Sequence, residues 1–387
     1  MSKVYPEAST SAGAEGHKAR QPLNAQRLLF IVPTGRLDPA SIKRVYEVLP
    51  LLNRLGYKVK VASHRWEWLW RTRLRANVGD QQSQWLLWAL NATRLFPKVM
   101  LWRDNSARQL LTRRLMWADV VIVLQTTLDP QWRQLLCEHA RKIIYEIDDA
   151  VWLHDGIGFT RMIELADVVV TGNRFLAEYT GGMHPKVFTI PTGVRLDRYE
   201  SCESRPKSNS EYTIGWVGSP STVKYLSLII EPLERLGAEL PLVLEVVGSG
   251  SEPVPIFRNV QVRLHPTIPY DPVQFVPGFD VGVMPLADTA WERGKCGAKL
   301  LEYMAAGVPT VCSRVGENVR IIEDGVTGFL VNSPVEWLAA LKRLASEPGL
   351  RERMGLAGRE RVRMQYSSEV VTTSWHKLFR GLSEAAR

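Results

Sequence analysis

Short, continuously apolar runs alternate along this chain with longer amphipathic stretches. Leu28 to Pro33 (LLFIVP) is apolar throughout, as a strand covered on both faces of a parallel sheet must be. The loop TGRLDPAS follows. Apolar positions then recur at helical spacing over Ser41 to Leu55, with Ser41 placed as the N-cap and Gly56 as the stop. Tyr57 to Ser63 alternates and predicts a second strand. Further strands are predicted at Asp119–Leu124, Lys142–Ile147, Ala166–Thr171 and Val187–Pro191, with helices over Pro130–Arg141 and from Arg174 onward. The polar stretch Arg198 to Ser210, with Pro206 inside it, reads as a linker. The pattern then restarts: strands at Tyr212–Val217, Leu242–Val247, Val260–Leu264, Asp280–Met284, Val308–Cys312 and Gly328–Val331, helices over Pro334–Ser346 and Leu350–Tyr366, and a last helix near Ser368–Ala386. Strand–helix alternation of this kind predicts an α/β protein of two Rossmann-like domains. No G-x-G-x-x-G follows the first strand, which argues against a dinucleotide-binding dehydrogenase.

A length of 387 residues agrees with two domains, and 45% apolar with 23% charged residues is ordinary for a globular chain. Residues 1–24 are polar and rich in Ser, Ala and Gly; they read as a disordered leader without the apolar centre of a secretory signal. No apolar run approaches the roughly 20 residues of a membrane span. Cys137, Cys202, Cys296 and Cys312 show no metal-ligand spacing, so reduced thiols in a cytoplasmic setting are expected. The net charge of +9 favours anionic partners.

Part of that charge is concentrated in one segment. His64 to Trp117 contains Trp66, Trp68, Trp70, Trp85, Trp88, Trp102 and Trp117 among ten Lys and Arg residues. Rings interleaved with cations suit a membrane interface, with the cations on lipid phosphates. They also suit a pair of amphipathic helices whose rings pack on the sheet. No nucleic-acid module motif accompanies the charge, and no nucleic-acid partner is expected.

Candidate chemistry gathers in Trp291 to Pro309 (WERGKCGAKLLEYMAAGVP). A Gly-punctuated basic loop runs into a short helix, with Leu300, Leu301, Met304 and Ala305 on one face. Free N–H groups at a helix start, flanked by Lys295 and Lys299, make an anion site. Glu302, a carboxylate beside that site, suits a ribose diol; it also suits an ordinary surface pair with Lys299. Asp148 and Asp149 close a predicted parallel strand, where open sheets keep their ligands, although they also suit N-capping.

Several runs resemble one family. GWVGSPSTVKYL, DVGVMPL, the Trp291–Pro309 stretch, G-x-T-G-F-L and R-x-x-M-G-x-A-G-R look like the C-terminal half of the retaining GT-B glycosyltransferases of family four, which use nucleotide sugars. IYEIDDAVW and ADVVVTGN look like its N-terminal half. The resemblance implies two Rossmann-like domains facing across a cleft. Residues 25–204 form the acceptor side, with 368–387 crossing back onto it, and 205–367 bind the donor. It assigns Gly218 and Ser219 to the diphosphate, Lys224 to the phosphates and Glu302 to the ribose, with Lys295, Cys296, Gly297, Ala298, Lys299 and Leu301 around the donor. Ser219 replaces the arginine usual there, and Lys295 or Lys299 would restore the charge. Gly294 stands where the family has a first glutamate toward the donor sugar, and Glu292 is a nearby substitute. On the first domain, Asp148 or Asp149 would face the donor sugar and acceptor, and Arg44 the cleft. The expected catalytic set is Asp148, Asp149, Lys224 and Lys299, with no cofactor and no metal. The expected activity is sugar transfer from a nucleoside-diphosphate sugar to a lipid-linked or membrane-proximal acceptor. A soluble small-molecule acceptor and a catalytically silent binding module are the alternatives.

Overall fold

The computed structural model describes residues 27–33, 39–64, 107–200, 211–267 and 270–384. The leader, most of the Trp/Arg-rich segment and linker residues 201–210 lie outside the described residues, so the readings placed on them stay at the level of sequence.

Two six-stranded sheets, parallel throughout, form the frame. In the first, β1 (Arg27–Val32), β2 (Lys58–Ser63), β3 (Val120–Leu124), β4 (Ile143–Ile147), β5 (Val168–Thr171) and β6 (Val187–Thr189) run in the order β2-β1-β3-β4-β5-β6. In the second, β7 (Tyr212–Val217), β8 (Leu242–Val247), β9 (Gln261–His265), β10 (Val281–Met284), β11 (Thr310–Ser313) and β12 (Gly328–Val331) run β12-β11-β10-β7-β8-β9. The central strands β1, β3, β4 and β8 are buried along nearly all of their length, with only Arg27 part-exposed at the start of β1, which is why they read as largely apolar runs; the exceptions are the buried Glu146 of β4 and Glu245 of β8. Strand order reverses between β1 and β3 and between β10 and β7, and such switch points open ligand crevices outside the carboxyl ends of the strands.

The first predicted helix differs from expectation. It starts at Pro39, so Ser41 is already helical (φ −60°, ψ −39°) and caps nothing. Ile42–Tyr46 is a π-helical turn, and a separate helix follows over Leu49–Arg54, with Pro50 in its first turn. Proline has no N–H to continue a helix but suits a new start, hence the break. A π turn of this kind often marks a functional site; here it turns Lys43 and Arg44 inward.

The last helix, Ser368–Glu384, leaves the second domain and lies on the first. Val371, Trp375 and Phe379 share a core with Leu28, Phe30, Val45 and Leu52, and the Tyr57 hydroxyl meets His376 Nδ1 at 2.8 Å. Among the described residues, no helix is long and apolar enough to cross a membrane.

Candidate active site

The second domain's switch point is fastened from below by Tyr303, on the helix Ala298–Ala305. Its hydroxyl accepts from the Val217 amide at 3.0 Å, at the end of β7, and donates to the Val283 carbonyl of β10 at 3.2 Å. Gly297 starts that helix with φ +67°, a conformation glycine adopts without strain. Above the strand ends, Gly218 is hemmed in: a Cβ there would come within 2.5 Å of the Trp216 ring and 2.7 Å of Lys299 Cε. Only a glycine leaves the β7 loop this close to the lysine.

Lys299 is half-buried, donates to Thr222 Oγ1 at 3.1 Å and lies 5.2 Å from the Trp216 ring centroid. Burial lowers its ammonium to about 7; the nearby Lys295 charge adds to the shift and Asp149 opposes it. Lys295 stands 3.7 Å from Asp149 and 5.0 Å from the Trp291 ring centroid. Lys224 is exposed on the turn after Val223, its ammonium 5.2 Å from the Tyr225 ring. Lys295, Lys299 and the Gly218 loop therefore meet at one mouth, while the side chain of Lys224 contacts only Tyr225 beside it among the described residues. Ser219 Oγ pairs with Ser221 Oγ at 3.1 Å.

Glu302 is buried, with one carboxylate oxygen ion-paired to Lys43 of the first domain and the other accepting from Tyr199. The reading of Glu302 as a surface partner of Lys299 is thereby set aside. Leu301 is buried in the core beneath, a packing position.

The two domains meet around residues 293–296. Asn173, fully buried, caps the helix Arg174–Gly181 through Oδ1 and donates through Nδ2 to the carbonyls of Gly294 (2.8 Å) and Lys295 (3.1 Å). Cys296 Sγ donates to the Asp148 carbonyl at 3.2 Å, and burial pushes its thiol up. Gly294, where the family resemblance implies a glutamate, has no room for one: a Cβ would meet Ala150 N at 2.8 Å and Ala150 Cβ at 2.9 Å. Glu292 does not substitute for it. It is buried, taken up by the hydroxyls of Tyr225 and Thr289.

On the first domain, Asp149 accepts from Gln125 Nε2 at 2.9 Å and faces Lys295. Asp148 turns its backbone to Cys296. Arg44 is enclosed rather than open to the cleft, although Asp148 and Cys296 lie near enough to act on its charge. It is buried at 3% exposure against Glu146 of β4, with Nε 2.6 Å from Oε1. Burial pushes the Glu146 carboxyl up while the Arg44 charge opposes it. Lys43, Gln125, Asn173 and Tyr199 escaped the sequence reading. Asn173 alone left a trace there, in the Gly-Asn pair after a strand. Among the described residues, no three His, Cys, Asp or Glu side chains gather as a metal site.

Residues 211–347 match the family model described as glycosyl transferases group 1. The chain is 30% identical over 234 residues to the D-inositol 3-phosphate glycosyltransferase of Actinosynnema mirum, covering 52% of this chain and 54% of that one. It is 27% identical over 179 residues to the N-acetyl-alpha-D-glucosaminyl L-malate synthase of Bacillus anthracis, covering 44% and 46%. The chain thus spans about half the length of these curated relatives. Its structure superposes on sucrose-phosphate synthase from Thermosynechococcus elongatus with a TM-score of 0.65 at 17% identity, covering 93% and 100% of the two chains. On Anabaena Alr3699/HepE in complex with UDP-glucose the TM-score is 0.62 at 12% identity, covering 92% and 99%. The fold is GT-B. Within that class, the group 1 match in the second domain bears out the resemblance to family four.

Proposed function

We propose that this protein is a group 1 glycosyltransferase that moves a sugar from a nucleoside-diphosphate sugar to a lipid-linked or membrane-proximal acceptor. The observation that carries the reading is the meeting of Lys295, Lys299 and the Gly218 loop with buried Glu302 at one switch point. The Anabaena neighbour's complex with UDP-glucose supports the donor class. The acceptor assignment rests on the Trp/Arg-rich segment, and a capsular polysaccharide glycosyltransferase of Staphylococcus aureus among the relatives supports it. The inositol phosphate and malate named in other relatives support the soluble-acceptor alternative. Sedimentation with anionic vesicles at low salt separates the two. The reading places the enzyme in the cytoplasm, at the inner face of the plasma membrane.

In the proposed reaction the acceptor oxygen bonds to the anomeric carbon as the bond to the β-phosphate breaks. Negative charge grows on the departing diphosphate, and preorganised cations aimed there lower the barrier. Lys224, Lys295 and Lys299 supply them, with the Gly218 and Ser219 amides. Attack on the face the diphosphate leaves retains configuration, and the diphosphate takes the acceptor proton. Asp149, held by Gln125, faces the sugar. The lysines do the neutralising, so activity is expected to survive chelation by EDTA.

Glu302→Ala and Lys224→Ala are each expected to abolish the thermal shift given by UDP or GDP and to lose transfer; full turnover in both would sink the assignment. One observation favours a second reading, a silent binding module: Ala150 fills the space beside Gly294, where the family has its first glutamate toward the donor sugar. Hydrolysis or transfer of any nucleotide sugar removes that reading.

A further inference from the structure

The donor-site reading makes Glu302 the acceptor for a ribose diol, and the inference below rests on it. Glu302 belongs to the second domain, yet Lys43, its ionic partner, comes from the π turn of the first. Lys43 also holds Glu47 Oε1 at 2.6 Å. Glu47 and Glu302 are 5% and 4% exposed. Two buried carboxylates from opposite domains therefore share one ammonium. A buried carboxylate stripped of its counter-ion takes up a proton rather than stay charged.

The other charged groups nearby are engaged elsewhere. Arg195 pairs with Asp197 while feeling the Glu47 charge, and Arg198 pairs with Asp271. Burial pushes the Tyr199 phenol up, so it remains a donor to Glu302. Glu302 Oε1 faces the Lys43 ammonium and Oε2 accepts from the Tyr199 hydroxyl, so both carboxylate oxygens are held in place from the first domain's side of the contact, and each carboxylate oxygen can accept more than one hydrogen bond.

We propose that Lys43 is a positioning residue of the donor site, contributed from across the cleft. It keeps the Glu302 carboxylate ionised and oriented for a ribose diol, so the nucleoside subsite is complete only when the first domain supplies its lysine. Hydrogen bonds to an ionised acceptor are roughly twice as strong as those to a neutral one, which is why the charge state of Glu302 sets affinity.

Calorimetric titration of UDP and GDP into the full chain, from about pH 6 to about pH 9, tests this. Lys43→Met is expected to weaken binding about ten- to hundredfold at the acid end, with the deficit shrinking as pH rises. Lys43→Arg should bind nearly as wild type, and adding Glu47→Gln to Lys43→Met should restore part of the loss. Wild-type affinity of Lys43→Met at every pH overturns the proposal. So does a deficit that ignores both pH and Glu47→Gln, because lost packing alone behaves that way. If Lys43→Met does not fold, Glu47→Gln alone decides: binding at least as tight as wild type at low pH supports the proposal, and weaker binding overturns it. A wild-type protein that binds neither nucleotide sinks the donor-site reading and the proposal together. Weak binding by Glu302→Gln beside unaffected Lys43→Met sinks only the proposal.

Discussion

At the scale of single residues, Lys299 makes the sharpest demand. Its native pKa of about 7 lies below the ordinary 10.5. Between those values the unfolded chain binds more protons than the native one, so stability rises with pH across that window. Below it both states are charged, and the native state bears the full cost of a charged lysine partly withdrawn from water. Lys299→Met is therefore expected to raise the melting temperature near neutral pH, the gain fading toward alkaline pH, as scanning calorimetry at several pH values will show. An anion bound beside Lys299 draws the ammonium back toward its charged form. Nucleoside-diphosphate binding at about pH 8 should then take up a proton, read as a dependence of the binding heat on buffer ionisation; no uptake would place the phosphates elsewhere. Which residues could be found in advance follows a physical line. Lys299 and Glu302 stand beside a helix start that sequence spacing reveals. Lys43 and Tyr199 reach Glu302 from far along the chain, and nothing local marks such a contact. The burial of Arg44 was hidden for a related reason: its partner Glu146 lies 102 residues away on strand β4.

At the scale of elements, strands and long helices were legible because burial on both faces and a 3.6-residue period leave plain marks. The break at Leu49–Pro50 was not, since a π turn keeps nearly the same apolar period while shifting which side chains turn inward. The element that holds the site together is Ala298–Ala305, through the Tyr303 hydroxyl. Tyr303→Phe leaves the buried Val217 amide without its acceptor and is expected to cost about 1–3 kcal/mol in urea unfolding. The loop before this helix is equally constrained. Gly294→Glu, which restores the family's carboxylate on paper, should lower stability and open the domain contact instead of improving turnover, because Ala150 occupies the space. A stable, more active variant would show that the 148–150 loop yields easily.

At the scale of the whole molecule, the two sheets are joined at the cleft by Asn173 and at the back by the last helix. Asn173→Ala removes both a helix cap, worth roughly 1 kcal/mol, and the hydrogen bonds to Gly294 and Lys295. Its radius of gyration in small-angle scattering is expected to exceed that of the wild type; an unchanged value would assign closure to the remaining contacts, Lys43–Glu302, Lys295–Asp149 and Cys296–Asp148 among them. Trp375→Ala is expected to cost about 3–5 kcal/mol, felt in the first domain although the residue follows the second in sequence. That helix also orders events during synthesis. The second domain lies as a continuous block between the two parts of the first, and the core around Leu28, Phe30 and Leu52 lacks its cover until Trp375 and Phe379 emerge. On the ribosome the domain translated first is therefore the one completed last, and it waits with an apolar face open while its neighbour folds.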